Sequence, residues 1–79
     1  MSTRHLRNVS LAEYRSALKK LGCNFVGVQG GHEKWTRKDL FRPVIFQTHF
    51  DPVREGIIQS NNQSLGITKK QFIEVLESL

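Results

Sequence analysis

The chain has a single cysteine, Cys23, in 79 residues, so it has no partner for an internal disulfide. No Cys/His cluster shows zinc-ligand spacing either, and a reducing cytoplasmic setting is the expectation. Long apolar runs are also missing. Nothing approaches the ~18–20 residues that a membrane span needs. Residues 1–8 lack the apolar core of a secretory signal. A soluble protein with no membrane partner is expected. Repeats, linkers and low-complexity tracts are absent, which leaves room for one domain only.

Acidic side chains are scarce where basic ones gather. Residues 1–42 hold nine Lys/Arg and three Asp/Glu, a net of +6, whereas residues 43–79 hold three and four, a net of −1. A basic half of this kind suits a polyanion, and nucleic acid is the commonest one. Hydrophobic content of 38% and seven aromatics supply a real core. A chain this short buries only about 60–70% of its unfolded surface, so that core must be compact.

Residues 1–9 read as a flexible N-terminal tail, and 10–79 as the domain. Ser10 and Glu13 form a capping box ahead of Leu11, Tyr14, Leu18 and Leu21 at helical spacing, and Gly22 supplies the left-handed stop. Arg15 and Lys19 lie four apart beside that stripe, where they can face a phosphate backbone. Phe25, Val26 and Val28 mark a first strand and Gly30-Gly31 a turn; residues 32–37 form a second strand and 44–48 a third. The loop between the last two holds Leu40 and Phe41. Asp51-Pro52 opens a polar helix to about Leu65, in which Ile57, Ile58 and Leu65 are able to bury. Gly66 ends it. Thr68 and Gln71 cap a last helix that buries Phe72, Ile73, Leu76 and Leu79. The expected class is α+β: a three-stranded antiparallel sheet with helices over one face, in the order α-β-β-β-α-α.

The glycine turn delivers His32 onto the first position of a strand. Histidine titrates near neutral pH unaided, so it can both take and give a proton. Pairing the inward Trp35 with the inward Phe46 sets His32 opposite His49, on the outward face with Lys34 and Gln47. RNA carries its own nucleophile, the 2′-hydroxyl. A base, an acid and a cation therefore suffice to cut it, with no metal and no cofactor. His32 and His49 are the candidate base and acid, with Lys34 or Arg37 as the cation. Lys38, Arg15, Lys19, Gly30 and Gly31 complete the candidate RNA-binding set.

Leu21-Gly22-Cys23-Asn24-Phe25-Val26, then Gly30-Gly31-His32 and Trp35, resemble the HicA family of bacterial and archaeal toxin–antitoxin modules. The resemblance continues through Phe46 to His49, the Gly56-to-Gly66 spacing, and the closing Gly66-Ile67-Thr68, Phe72-Ile73 and Leu76. It spans about residues 10–79. It implies a fold like the double-stranded-RNA-binding domain, α-β-β-β-α, here with an extra C-terminal helix. It further implies an mRNA interferase that halts translation, and a HicB-type antitoxin that covers the active face. In that family the catalytic histidine follows a Gly-Ser turn, the place His32 occupies, and a histidine after the third strand recurs where His49 falls. Gly31 stands where the serine is usual, Gly27 and Val28 where polar or basic residues are common. Asn61 and Asn62 stand in place of apolar helix residues, which points to a loosened core or an altered partner-facing surface.

Two other readings stay open: an RNA-binding module that does not cut, and an interaction protein docking through Leu40-Phe41 and the polar helix. A DNA-reading helix-turn-helix fits poorly, because Glu74 and Glu77 would face phosphates.

Overall fold

Caps decide where the first helix starts. In the computed structural model, which describes residues 5–79, the Glu13 N–H donates to Ser10 Oγ at 3.0 Å and the Ser10 N–H to the Glu13 carboxylate at 3.3 Å. This capping box opens α1 (Leu11–Lys20), whose buried stripe is Tyr14, Ala17 and Leu18. A distant carboxylate adds to it: Asp51 Oδ1 accepts the Leu11 N–H at 3.1 Å.

Gly30 and Gly31, at φ 58° and 78°, join β1 (Asn24–Gln29) to β2 (His32–Thr36) by a two-residue turn. Two successive positive φ angles match the right-handed twist of the flanking strands. β3 (Val44–Gln47) pairs antiparallel with the other edge of β2, giving the order β1-β2-β3. α2 (Glu55–Leu65) ends at Gly66 in the left-handed region, and a second capping box, Thr68 with Gln71, opens α3 (Lys69–Glu77). The fold is thus α+β, an open three-stranded antiparallel sheet and three helices in the expected α-β-β-β-α-α order. None of the helices among the described residues is long and apolar enough to cross a membrane.

The core lies between the helices and one face of the sheet. Tyr14 meets Phe46 edge-on at 4.9 Å between centroids and Phe72 at 5.8 Å, so one ring links α1, β3 and α3. Glu33, Trp35, Val44 and Phe46 point into this layer, while His32, Lys34 and Ile45 stand exposed on the other side.

Several expectations need correction. Leu6 and Val9, assigned to a tail, are 0% exposed members of the core. The reason is tertiary: the Val53 N–H donates to the Val9 carbonyl at 2.8 Å, and Val53 packs beside it in the core. Residues 1–4 of that segment lie outside the described residues. The second helix starts at Glu55 rather than at Asp51-Pro52, which belongs to the loop reaching back to α1. Leu79 is exposed because α3 stops at Glu77 and its apolar face ends with it. Of the loop pair, Leu40 packs against the core while Phe41 is fully exposed.

Asn61 and Asn62 are both buried on α2. Asn61 Nδ2 donates to Tyr14 Oη at 3.1 Å and to the Ile45 carbonyl at 3.0 Å, so it ties α2 to α1 and to the outer edge of β3. That is a bracket, not a loosening. Asn62 Oδ1 is buried without a hydrogen-bond partner among the described residues. Asn61→Ala should therefore cost about 1–3 kcal/mol, because it leaves buried groups unpaired. Asn62→Ala should cost clearly less; urea unfolding of the two variants beside the native protein checks the order.

Candidate active site

The sheet register differs from expectation by two residues. Glu33, not Trp35, lies opposite Phe46, and Trp35 opposes Val44. His32 accordingly faces Gln47 rather than His49. A two-residue shift keeps every side chain on its own face, so the apolar pattern does not distinguish the two registers. What selects the observed one is local bonding. The Thr48 N–H and hydroxyl both donate to the Gly31 carbonyl, at 2.9 and 3.2 Å, and clasp the turn to the end of β3.

His32 is held from both ring nitrogens. Nδ1 lies 3.2 Å from the Gly30 carbonyl, which only accepts, so Nδ1 carries the proton. Nε2 then presents its lone pair, with the Gln47 amide nitrogen 3.4 Å away as a weak donor. The residue as a whole is exposed. Lys34, the next outward residue of β2, lies about 6–7 Å along the strand. Both line a shallow depression of about 270 Å³ on the outward face, with Val26 to Gln29 of β1.

His49 stays at the same tip by a different route. Its ring sits against the α-carbon of Gly31, and a Cβ built there would lie 2.6 Å from His49 Cε1. Gly31 is thus the residue that makes room for the second histidine. Phe50 follows, 6.5 Å from the His49 ring, and carries the Arg54 guanidinium 3.8 Å above its own ring.

The other candidate cations are not at this tip. Arg15 lies on the helix side of the sheet, where its Nε and Nη2 donate to the two Glu33 oxygens at 3.0 and 2.8 Å. Trp35 Nε1 adds a third bond to Glu33, at 2.7 Å. Glu33 is only 2% exposed. Burial by itself pushes its carboxyl up, but the bonds from Arg15 and Trp35 outweigh that and hold it below the ordinary carboxylate value. Lys19, exposed on α1, shares the same side. Arg37 lies beyond the far end of β2, about 16 Å from His32 along the strand. It grips Asp39 at 2.6 and 3.1 Å and the Leu21 carbonyl at 2.7 Å. Arg37 is thus a structural clamp, not the cation for a phosphate held at His32. Lys38 is exposed at that same far end.

Two participants escaped the sequence reading, Thr48 on the turn and Glu33 as the anchor of Arg15, and Gln47 was placed on the outward face without its contact to His32. Gln47 alternates outward with Ile45, a signal that places it on the correct face but not opposite His32. Cys23 is buried, and that burial pushes its thiol up, which suits packing rather than nucleophilic work. Among the described residues no group of three His, Cys, Asp or Glu side chains is placed to hold a metal ion. Comparison with protein-family models, curated proteins and solved structures returned no match.

Two measurements follow from this geometry. Gly31→Ala should cost about 1–3 kcal/mol from the left-handed backbone alone, and NMR should show the His49 ring displaced. Gly30→Ala, which meets open space, should leave the His49 signals in place. For Glu33 the folded carboxyl titrates below its unfolded counterpart. Its contribution is therefore complete above the ordinary carboxylate range and is lost as pH falls through the folded value. Glu33→Gln should destabilise by about 1–3 kcal/mol at pH 7. Urea titrations repeated at falling pH should show the variant and native protein converging.

Proposed function

We propose that this chain is a metal-independent endoribonuclease, an mRNA interferase toxin of the HicA type that acts in the cytoplasm on mRNA. A HicB-type antitoxin protein is its proposed partner. One observation carries the reading: an exposed His32 whose Nδ1 is anchored on the Gly30 carbonyl, leaving Nε2 as a base beside Lys34.

In this scheme a phosphodiester lies across the outward face at the hairpin tip. His32 Nε2 takes the proton of the 2′-hydroxyl, whose oxygen attacks the adjacent phosphorus. The bond to the 5′-oxygen breaks, and that oxygen leaves with a proton from protonated His49. The products are a 2′,3′-cyclic phosphate and a 5′-hydroxyl, which balances atoms and charge without an outside reagent. Lys34 offsets the negative charge that builds on the phosphorane oxygens. Gln47 and the Gly30 carbonyl keep the His32 ring from turning. The basic half of the chain draws RNA in, and high salt weakens that attraction.

The experiment is RNA cleavage by purified, antitoxin-free protein in excess EDTA, beside a folded His32→Ala variant, with RNA binding measured in parallel. His32→Ala should lower the rate by about a hundredfold or more, the usual contribution of one acid–base group, while binding largely survives. Native protein should leave cyclic-phosphate ends. Equal rates in the two proteins would remove His32 from the chemistry. Binding without cleavage by either would make the chain an RNA-binding module.

A further inference from the structure

We propose that β1 is a docking edge for an extended, acidic segment of another protein, which adds a fourth strand to the sheet. The proposal rests on the free backbone edge of β1 and its helix-side seat, and shares only the outward Lys34 with the cleavage reading.

The ladder shows which backbone groups are free. The Thr48 N–H bonds to the Gly31 carbonyl, so odd-numbered residues of β2 turn toward β3 and even-numbered ones toward β1. The β1 partners of His32 and Lys34 are Gln29 and Gly27, with a bulge at Val26. Phe25 and Val28, opposite Trp35 and Glu33, therefore aim their N–H and C=O groups at the open edge. The other edge of the sheet is treated differently, since Asn61 of α2 bonds the Ile45 carbonyl. Proteins normally blunt a free edge with charge, proline, a bulge or a covering element, and β1 has the bulge at Val26. The edge carries no charged residue in Asn24–Gln29, and Phe25, Val26 and Val28 are 55%, 53% and 54% exposed.

Side-chain seats accompany the free backbone. On the helix side, a depression of about 410 Å³ between β1 and α1 has Phe25 and Trp35 in its lining and Lys19 at its rim. On the outward side Lys34 stands across from Gly27. Neither Lys19 nor Lys34 makes an ion pair among the described residues, whereas the Arg15 charge is already met by Glu33. Strand addition takes affinity from main-chain bonds and specificity from alternate side chains. An incoming strand would set apolar residues on Phe25 and Trp35 and, on its alternate face, carboxylates against Lys34. A second copy of this chain would bring lysine against lysine, and a polynucleotide lacks the alternating amide donors and acceptors that Phe25 and Val28 require.

The test uses ¹⁵N-labelled protein with the capped peptide Glu-Val-Glu-Ile-Glu-Val at millimolar concentration, read by amide hydrogen exchange. Exchange at Phe25 and Val28 should slow by about tenfold or more. The same peptide N-methylated at alternate residues, or with Lys replacing Glu, should give no protection. Lys34→Glu, an exposed change away from the core, should weaken the effect about fivefold, the scale of one surface charge contact. No protection at millimolar peptide would overturn the proposal. So would equal protection by the lysine peptide, by a uridine octamer, or by raising the protein concentration alone.

Discussion

A carboxylate inside the sheet–helix layer organises this protein. Glu33 faces the core opposite Phe46, a position that by pattern belongs to an apolar side chain. Left alone, a buried charge is among the most costly features a small core can hold. Arg15 answers it with two bonds and Trp35 with a third, so α1 is pinned across β2 at one place and one angle. Such pairs contribute little net stability compared with apolar packing, and their value lies in excluding alternatives. Here they fix where α1 crosses β2, while the register of β3 is held by the Thr48 bonds to the Gly31 carbonyl. Pinning α1 over β2 is also consistent with the exposure of β1.

The sheet accordingly separates two kinds of surface. Its inner face is committed to Tyr14, Phe46 and Phe72. Its outer face holds His32, Lys34 and Gln47, none of them required by the core. Of the positive charges of the first half, Arg15 is engaged by Glu33 and Arg37 by Asp39. The candidate lysines Lys19, Lys34 and Lys38 lie in three separate places, so net charge alone misstates where an anion would be held. At the tip, two glycines with positive φ allow the tight turn, and one of them yields its side-chain space to His49. Chemistry at this tip would rest on a missing Cβ as much as on the imidazoles.

The polar second helix follows the same logic of a few specific contacts in a polar setting. Ile58 and Leu65 are buried, and between them Asn61 spans from Tyr14 to the edge of β3. An apolar residue there would pack more tightly but leave the Ile45 carbonyl without that donor. Asn62, next to it, shows the other side of the bargain, a buried oxygen with no partner among the described residues.

What the sequence determined by itself is the local structure. Ser10 with Glu13 and Thr68 with Gln71 set helix starts, Gly22 and Gly66 set stops, and Gly30-Gly31 set the hairpin, because caps and left-handed glycines act within a few residues. Alternation likewise assigned Trp35 and Phe46 to the core and His32 and Lys34 to the outer face. Only the tertiary structure decided the register, the partner of each arginine, the seat of His49 and the exposure of Phe25, Val26 and Val28. It also brought Leu6 and Val9 inside, through a bond to Val53 that no local pattern announces. Periodicity fixes which face a side chain takes, whereas pairing energies between distant residues fix which neighbour it meets there, and only the folded chain brings those neighbours together.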